Sequence, residues 1–258
     1  HSPLLVYFDR TEIQKKNTRI VPQPPKTSFK EFTYIAHDHT ENNSPSDPVE
    51  GSNTEYIISI ANNGNMRIFD HDLNILEYHL ESQWIQGATG ICCDWIITYK
   101  PEDERWYIIG LANSGFYMYI SKTSNPLNPG ATFDKRYIPV GQCDYQKMGV
   151  FSDYVLIMNQ IGSSGPQILA INKNDLINDN FQIVTGNIPG QGYFGGFQIH
   201  PPIQTINSPN IPNNKVYAIG HWDYCLYNSG CSGNAWGFGN DQIRIYEINP
   251  NSGSYTTQ

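Results

Sequence analysis

The feature that most constrains this chain is the recurrence, from Glu55 onward, of short β-branched and aromatic runs separated by turns rich in Gly, Asn, Ser and Pro. Tyr56 to Ala61, Met66 to Asp70, Ile75 to Leu80, Trp95 to Tyr99, Trp106 to Ala112 and Phe116 to Ser121 succeed one another in this way. Val155 to Met158, Gln167 to Ile171, Lys215 to Gly220 and Gln242 to Ile248 continue the series. Such residues fit a pleated, packed surface, and Asn62-Asn63-Gly64-Asn65 is a hairpin turn of the kind that needs positive φ. No long stretch reads as an amphipathic helix. Met66–Asp70, Gln167–Ile171 and Gln242–Tyr246 each follow a Gly/Asn/Ser turn and precede a polar one. Their spacing is far longer than one hairpin, and degenerate repetition of antiparallel units at such intervals predicts a β-propeller. The number of strands, about eighteen, suits about five blades and at most seven, and exceeds what a sandwich needs.

The chain divides at about residue 55. Residues 1–54 read as an irregular N-terminal arm with lead-in strands, and residues 55–258 as the propeller domain. In the arm, Leu4 to Phe8 and Phe32 to Ile35 are strand-like, but Pro22, Pro24 and Pro25 and the polar run 39–53 interrupt them. The apolar Leu4 to Phe8 segment predicts strand pairing, either with its own sheet or by addition to another subunit. The chain opens on His1 rather than Met, so a removed leader or a longer parent protein is expected.

A formal net charge of −8, with no basic stripe, argues against nucleic acid or an anionic membrane as the main partner. No window approaches the apolar length of a membrane-spanning helix. Five cysteines stand at 92, 93, 143, 225 and 231. Cys225 and Cys231 bracket a short Gly/Asn/Ser-containing loop and are expected to form a disulfide, and Cys143 is expected to bond with Cys92 or Cys93. Adjacent cysteines are wrong for a zinc knuckle, so disulfides are favoured over a metal and an oxidising compartment is expected.

Three polar segments punctuate the central strands: 99–106 (YKPEDERW), 121–126 (SKTSNP) and 144–153 (DYQKMGVFSD), all read here as turns. Together with Asn62, Ile68-Phe69-Asp70, Asp94 and Asn159, they resemble a group of secreted, propeller-like extracellular and surface proteins. That group's patterns run close to "N…iriyDk", "DP…vvYD…RWf", "SkTsdP" and "DYPklGvwsDayyit.N". The resemblance covers residues 55–250 or so. Trp95, Lys100 and Gln146 depart from the group's Pro, Asp and Pro. Lys100 speaks against a cation at that position.

Structural roles are expected first for Asp94, Arg105, Trp106, Ser121, Thr123, Asp144 and Asp153. Arg105 can pair with Asp94 or Glu102 while Trp106 packs between blades. The hydroxyls of 121–126 and the carboxylates of Asp144 and Asp153 can close turns. No catalytic motif of the common hydrolase, metalloprotease, phosphate-loop or EF-hand kinds is present. A propeller glycosidase would leave no such linear trace, since its carboxylates come from different blades. Asp94, Asp144, Asp153 and Asp223 are the acids that chemistry would draw on. His1, and His37 with His39, are the only metal-like groupings, and neither completes a ligand set, so no metal, cofactor or catalytic residue is assigned. The aromatic loop carrying Trp222, Asp223, Tyr224 and Trp236 is the candidate binding element, because flat apolar faces with polar tips suit sugars and protein partners.

The resulting expectation is a secreted, non-enzymatic β-propeller module for adhesion, recognition or fibre assembly at the cell surface. Its partners would be other copies of itself, or an extracellular protein or glycan. The alternative is a propeller glycoside hydrolase or lyase acting on an extracellular polysaccharide.

Overall fold

A computed structural model describes residues 48–160, 166–188, 201–203, 215–222 and 242–257. Among them, strands follow one another as antiparallel meanders. The first sheet is β1 (Val49–Ser52), β2 (Ile57–Ile60), β3 (Met66–Phe69) and β4 (Ile75–His79). The second is β5 (Ile91–Lys100), β6 (Arg105–Ala112), β7 (Gly115–Ser121) and β8 (Phe133–Pro139). The third is β9 (Lys147–Val150), β10 (Tyr154–Gln160), β11 (Pro166–Asn172) and β12 (Ile183–Asn187). The fourth is β13 (Val216–Trp222), β14 (Gln242–Ile248) and β15 (Tyr255–Thr257). Residues 201–203 run beside β13 through one isolated antiparallel bridge: Pro202 bridges Ala218, Ile203 N donates to Tyr217 O and Ile219 N donates to Pro201 O. The protein is therefore all-β, with four β-propeller blades among the described residues.

Consecutive blades pack face to face because their strands are apolar on both sides, which continuous runs permit and strict alternation does not. β6 shows how this works. Trp106 and Ile108 join Ile58, Ile60, Met66 and Ile68 in the core between blades one and two. The intervening Tyr107, Ile109 and Leu111 join Val150, Val155, Ile157 and Leu169 between blades two and three. A third core, including Leu156, Met158, Ile168, Val216, Ala218 and Ile248, lies between blades three and four. Each such side chain contributes roughly 1.5–3 kcal/mol on burial.

β1 packs beside β5, and β5 beside β9, so the first strand of each blade is the innermost. Two of these strands carry a glycine where neighbours converge. A Cβ on Gly51 would stand 2.5 Å from Ile97 Cγ2, and one on Gly149 would stand 2.5 Å from Pro202 Cβ. At the periphery β4 leaves Ile75, Leu76 and Tyr78 exposed.

Two sequence expectations are corrected here. Residues 49–52, assigned to the N-terminal arm, form β1 in full register with β2. Their Val-Glu-Gly-Ser sequence, half exposed beside the axis, has none of the apolar content that marks the other strands. Segment 144–153, read as a turn, contains β9, whose Gly149 reads as a breaker in sequence and serves as a close-approach point in the fold. The segments Leu4 to Phe8 and Phe32 to Ile35, expected as strands, together with His1, His37 and His39, lie outside the described residues.

Candidate functional site at the axial mouth

The inner strands begin, and the second strands end, on one side of the fold: Val49 opposes Ile60, Ile91 opposes Ala112 and Lys147 opposes Met158. Polar residues from three successive blades meet there. Asn62, 8% exposed just after β2, accepts the Asp94 backbone N–H on its Oδ1 at 2.9 Å, and its own carbonyl accepts Trp95 Nε1–H at 3.3 Å. From blade three, the Gln146 side-chain amide donates to the Asp94 carbonyl. Asn159, at the end of β10, accepts the Asp144 N–H at 3.2 Å and donates from Nδ2 to Gln142 O and Gln167 Oε1.

The backbone at this mouth is distorted in two places. β5 slips register with β6 on either side of Cys93, and Asp94 sits at φ 53°, a left-handed conformation that aspartate tolerates. Tyr145 sits at φ 36°, where an aromatic residue has no such excuse and the cost is about 1–3 kcal/mol. Tyr145 and Lys147 are coupled: Lys147 Nζ lies 3.5 Å from the Tyr145 ring centroid, within cation–π range. Burial pulls the Lys147 pKa below its ordinary value, and the charge of Asp94 opposes that shift. Gln146 is 1% exposed, and its Oε1 has no hydrogen-bond partner.

This arrangement can do three things chemically. Carboxylates of Asp94 and Asp144 can accept hydroxyl hydrogens or move protons, and the half-buried Lys147 ammonium can meet an anionic group. Tyr145 adds a half-buried aromatic ring that carries the Lys147 ammonium over its face.

The other expected residues lie elsewhere. Arg105, Trp106, Ser121, Thr123 and Asp153 belong to the opposite side of the blades, where β5 and β6 turn at Lys100 and β9 and β10 turn at Asp153. Ser121 Oγ accepts the Trp106 N–H at 2.8 Å and donates to Thr123 O at 2.6 Å, while Trp106 Nε1 donates to Ser124 O at 2.8 Å. Asn125 N donates to Thr123 Oγ1, so the 121–126 segment is a closed turn beneath a buried tryptophan. The Asp153 carbonyl accepts the Lys173 N–H. Arg105 pairs with neither Asp94 nor Glu102. Asp94 is at the far end of β5, Glu102 is held by Lys100 at 3.0 Å, and Arg105 Nη1 instead donates to Ser121 O at 2.6 Å.

The cysteines also differ from expectation. Cys92 and Cys93 are bonded to each other, so Cys143 bridges to neither. Its thiol instead donates toward the carbonyls of Ala112, at 3.1 Å, and Gly115, at 3.2 Å, which close the β6–β7 hairpin. Asp223, Tyr224, Cys225, Cys231, Trp236 and the Trp222 side chain lie outside the described residues. The strands that flank them end on the mouth side, with Trp222 opposite Gln242. Among the described residues no group of three His, Cys, Asp or Glu could hold a metal, and no helix is long and apolar enough to cross a membrane.

Tyr145, Gln146 and Lys147 are the residues that sequence reasoning missed as a site. The one signal available was Gln146 replacing the proline of the resembling group. A residue with an amide there gains a donor that reaches the neighbouring blade.

The fold and its polar mouth define an antiparallel β-propeller with a candidate ligand site at one end of the inner strands. No protein-family model and no curated protein sequence matches the chain. Among solved structures it is similar to the catalytic domain of a Coprinopsis cinerea GH62 α-L-arabinofuranosidase, at 10% identity and TM-score 0.48, covering 82% of this chain and 66% of that one. It is also similar to the phage phi92 endosialidase, at 12% identity and TM-score 0.45, covering 76% and 34%. An endo-1,4-β-xylanase from Bacteroides thetaiotaomicron is similar at 12% identity and TM-score 0.43, covering 83% and 72%. This chain thus spans about two-thirds of the first of these and about a third of the second. At such scores the likenesses assign no function, and the propeller reading rests on the sheet order itself.

Proposed function

We propose that this protein is a secreted, carbohydrate-active β-propeller that engages an extracellular polysaccharide at the axial mouth and acts on it as a glycoside hydrolase or lyase. The observation that carries the reading is the convergence of Asn62, Asp94, Gln146 and Lys147 from three successive blades, with Asp94 and Tyr145 both in left-handed backbone. Backbone strain and a desolvated amine cluster where a fold commits to a ligand. Asp94 and Asp144 are the carboxylates to which acid and base roles fall. Lys147 is the group that meets a negative charge.

The test is incubation with neutral and acidic polysaccharides, reading new reducing ends and unsaturated uronates. Wild-type protein should release product, and Asp94→Asn should lower the rate by about 10²-fold or more. Retained polysaccharide binding with no product would move the reading to recognition without turnover. Absence of both would overturn it.

That second reading, a non-enzymatic recognition or assembly module, is favoured by one observation. β4 presents Ile75, Leu76 and Tyr78 on an outermost strand, followed by exposed Leu80, and such edges invite pairing with another chain.

A further inference from the structure

We propose that Cys92, Cys93 and Cys143 form an intramolecular thiol–disulfide exchange site, in which the bond between Cys92 and Cys93 passes to Cys93 and Cys143. The exchange does not depend on the polysaccharide reading.

Three observations carry it. Cys93 and Cys143 pack against the same hydrophobic core, between blades two and three, although they come from different blades. Their positions are adjacent along β6: Cys93 lies opposite Leu111, and the Cys143 thiol is 3.1 Å from the carbonyl of the next residue, Ala112. Cys92, by contrast, is exposed, so the sulfur displaced from the bond would be left in solvent.

The step balances without an external oxidant. The Cys143 thiol loses its proton to solvent, and the resulting thiolate attacks Cys93 Sγ. The Cys92–Cys93 bond breaks as the Cys93–Cys143 bond forms, and the Cys92 thiolate leaves with the electron pair and takes up a proton. Burial holds the Cys143 thiol above its ordinary pKa, with the Asp144 charge adding to the effect, so the attacking thiolate is scarce near neutrality.

The consequence reaches the mouth. Cys93 immediately precedes Asp94, and Cys143 immediately precedes Asp144. In the present state the two acid-bearing segments are joined through the Gln146 hydrogen bond to Asp94 O. After exchange they would be tied covalently, one residue before each acid.

The experiment uses the intact wild-type chain. Samples are held at mildly alkaline pH for increasing times, quenched in acidic denaturant containing a maleimide, and digested with pepsin without reduction. At zero time the label should fall on Cys143 and spare Cys92 and Cys93. With time, label should leave Cys143 and appear on Cys92 in equal amount, alongside a linked peptide pair joining Cys93 to Cys143. Cys143→Ser, whose hydroxyl can keep the contacts to Ala112 and Gly115, should show no gain of label on Cys92 at any time. Label that stays on Cys143 throughout, label on all three cysteines at zero time, or a bond from Cys143 to Cys225 or Cys231 would each overturn the proposal.

Discussion

Lys173 Nζ lies 2.6 Å from Asp103 Oδ1 and 2.7 Å from Oδ2, joining the turn after β5 in blade two to the residue after β11 in blade three. The two side chains are 6% and 16% exposed, and Tyr107 OH also donates to Asp103 Oδ2 at 2.9 Å. Removing one partner of such a pair strands the other charge out of water. Asp103→Ala or Lys173→Ala should therefore cost about 3–5 kcal/mol, whereas the paired replacement Asp103→Leu with Lys173→Met should cost far less. Urea unfolding of the single and paired variants measures both, and equal losses in all three would refute the account.

Ser121 provides a second, smaller clamp. Its hydroxyl is the acceptor of the buried Trp106 N–H, so Ser121→Ala leaves that donor unpaired at a cost of about 1–3 kcal/mol. Thr123 is exposed and bonds only within its own turn, so Thr123→Ala should fall within about 0.5 kcal/mol of wild type. Thermal or urea unfolding of the two variants side by side would expose a reversed order.

Gly149→Ala should destabilise by about 1–3 kcal/mol, because its Cβ would meet Pro202 Cβ at 2.5 Å and a proline ring cannot rotate away. The effect should be local to the contact between blades three and four. Hydrogen exchange of β13 and β14 amides should rise before that of β2 and β3 amides, and a uniform rise across all blades would count against it.

Lys147 makes a prediction about pH. Its folded-state pKa lies below that of the unfolded chain, so between the two values the unfolded chain binds more protons and stability rises with pH. Below both values the burial penalty is fully present. Lys147→Met should therefore be more stable than wild type near neutrality, with the gap narrowing as pH climbs toward the unfolded lysine value. Urea unfolding of both proteins from pH 7 upward gives the difference directly, and a gap that widens with pH would sink the argument.

How far the sequence could be read depends on which residues announce their own role. Trp106 and Ser121 drew attention because a tryptophan behind Arg105 and a Ser-Lys-Thr-Ser-Asn-Pro run are locally unusual, and in the fold the Trp106 N–H donates to Ser121 Oγ. Asp94 and Asp144 were legible as residues to examine, although their shared side of the fold was not. Gln146 stood out only as a departure from the resembling group's proline, and Tyr145 and Lys147 gave no sign, since a half-buried amine and a left-handed tyrosine look ordinary in one dimension.

The amino-acid sequence by itself determined the all-β class and the blade-like repetition, because β-branched runs and turn residues act over a few positions at a time. It also placed the strands of highest apolar content, such as β6 and β10. Only the tertiary structure decided that Val49–Ser52 and Lys147–Val150 are inner strands, which glycines allow to converge on the axis. It likewise decided that Arg105 turns to Ser121 rather than to Asp94, and that Cys143 stays a thiol beside Ala112. It brought Asn62, Asp94 and Gln146 together across sequence separations of 32 and 52 residues. Contacts of that range depend on how whole blades stack, and no local propensity encodes them.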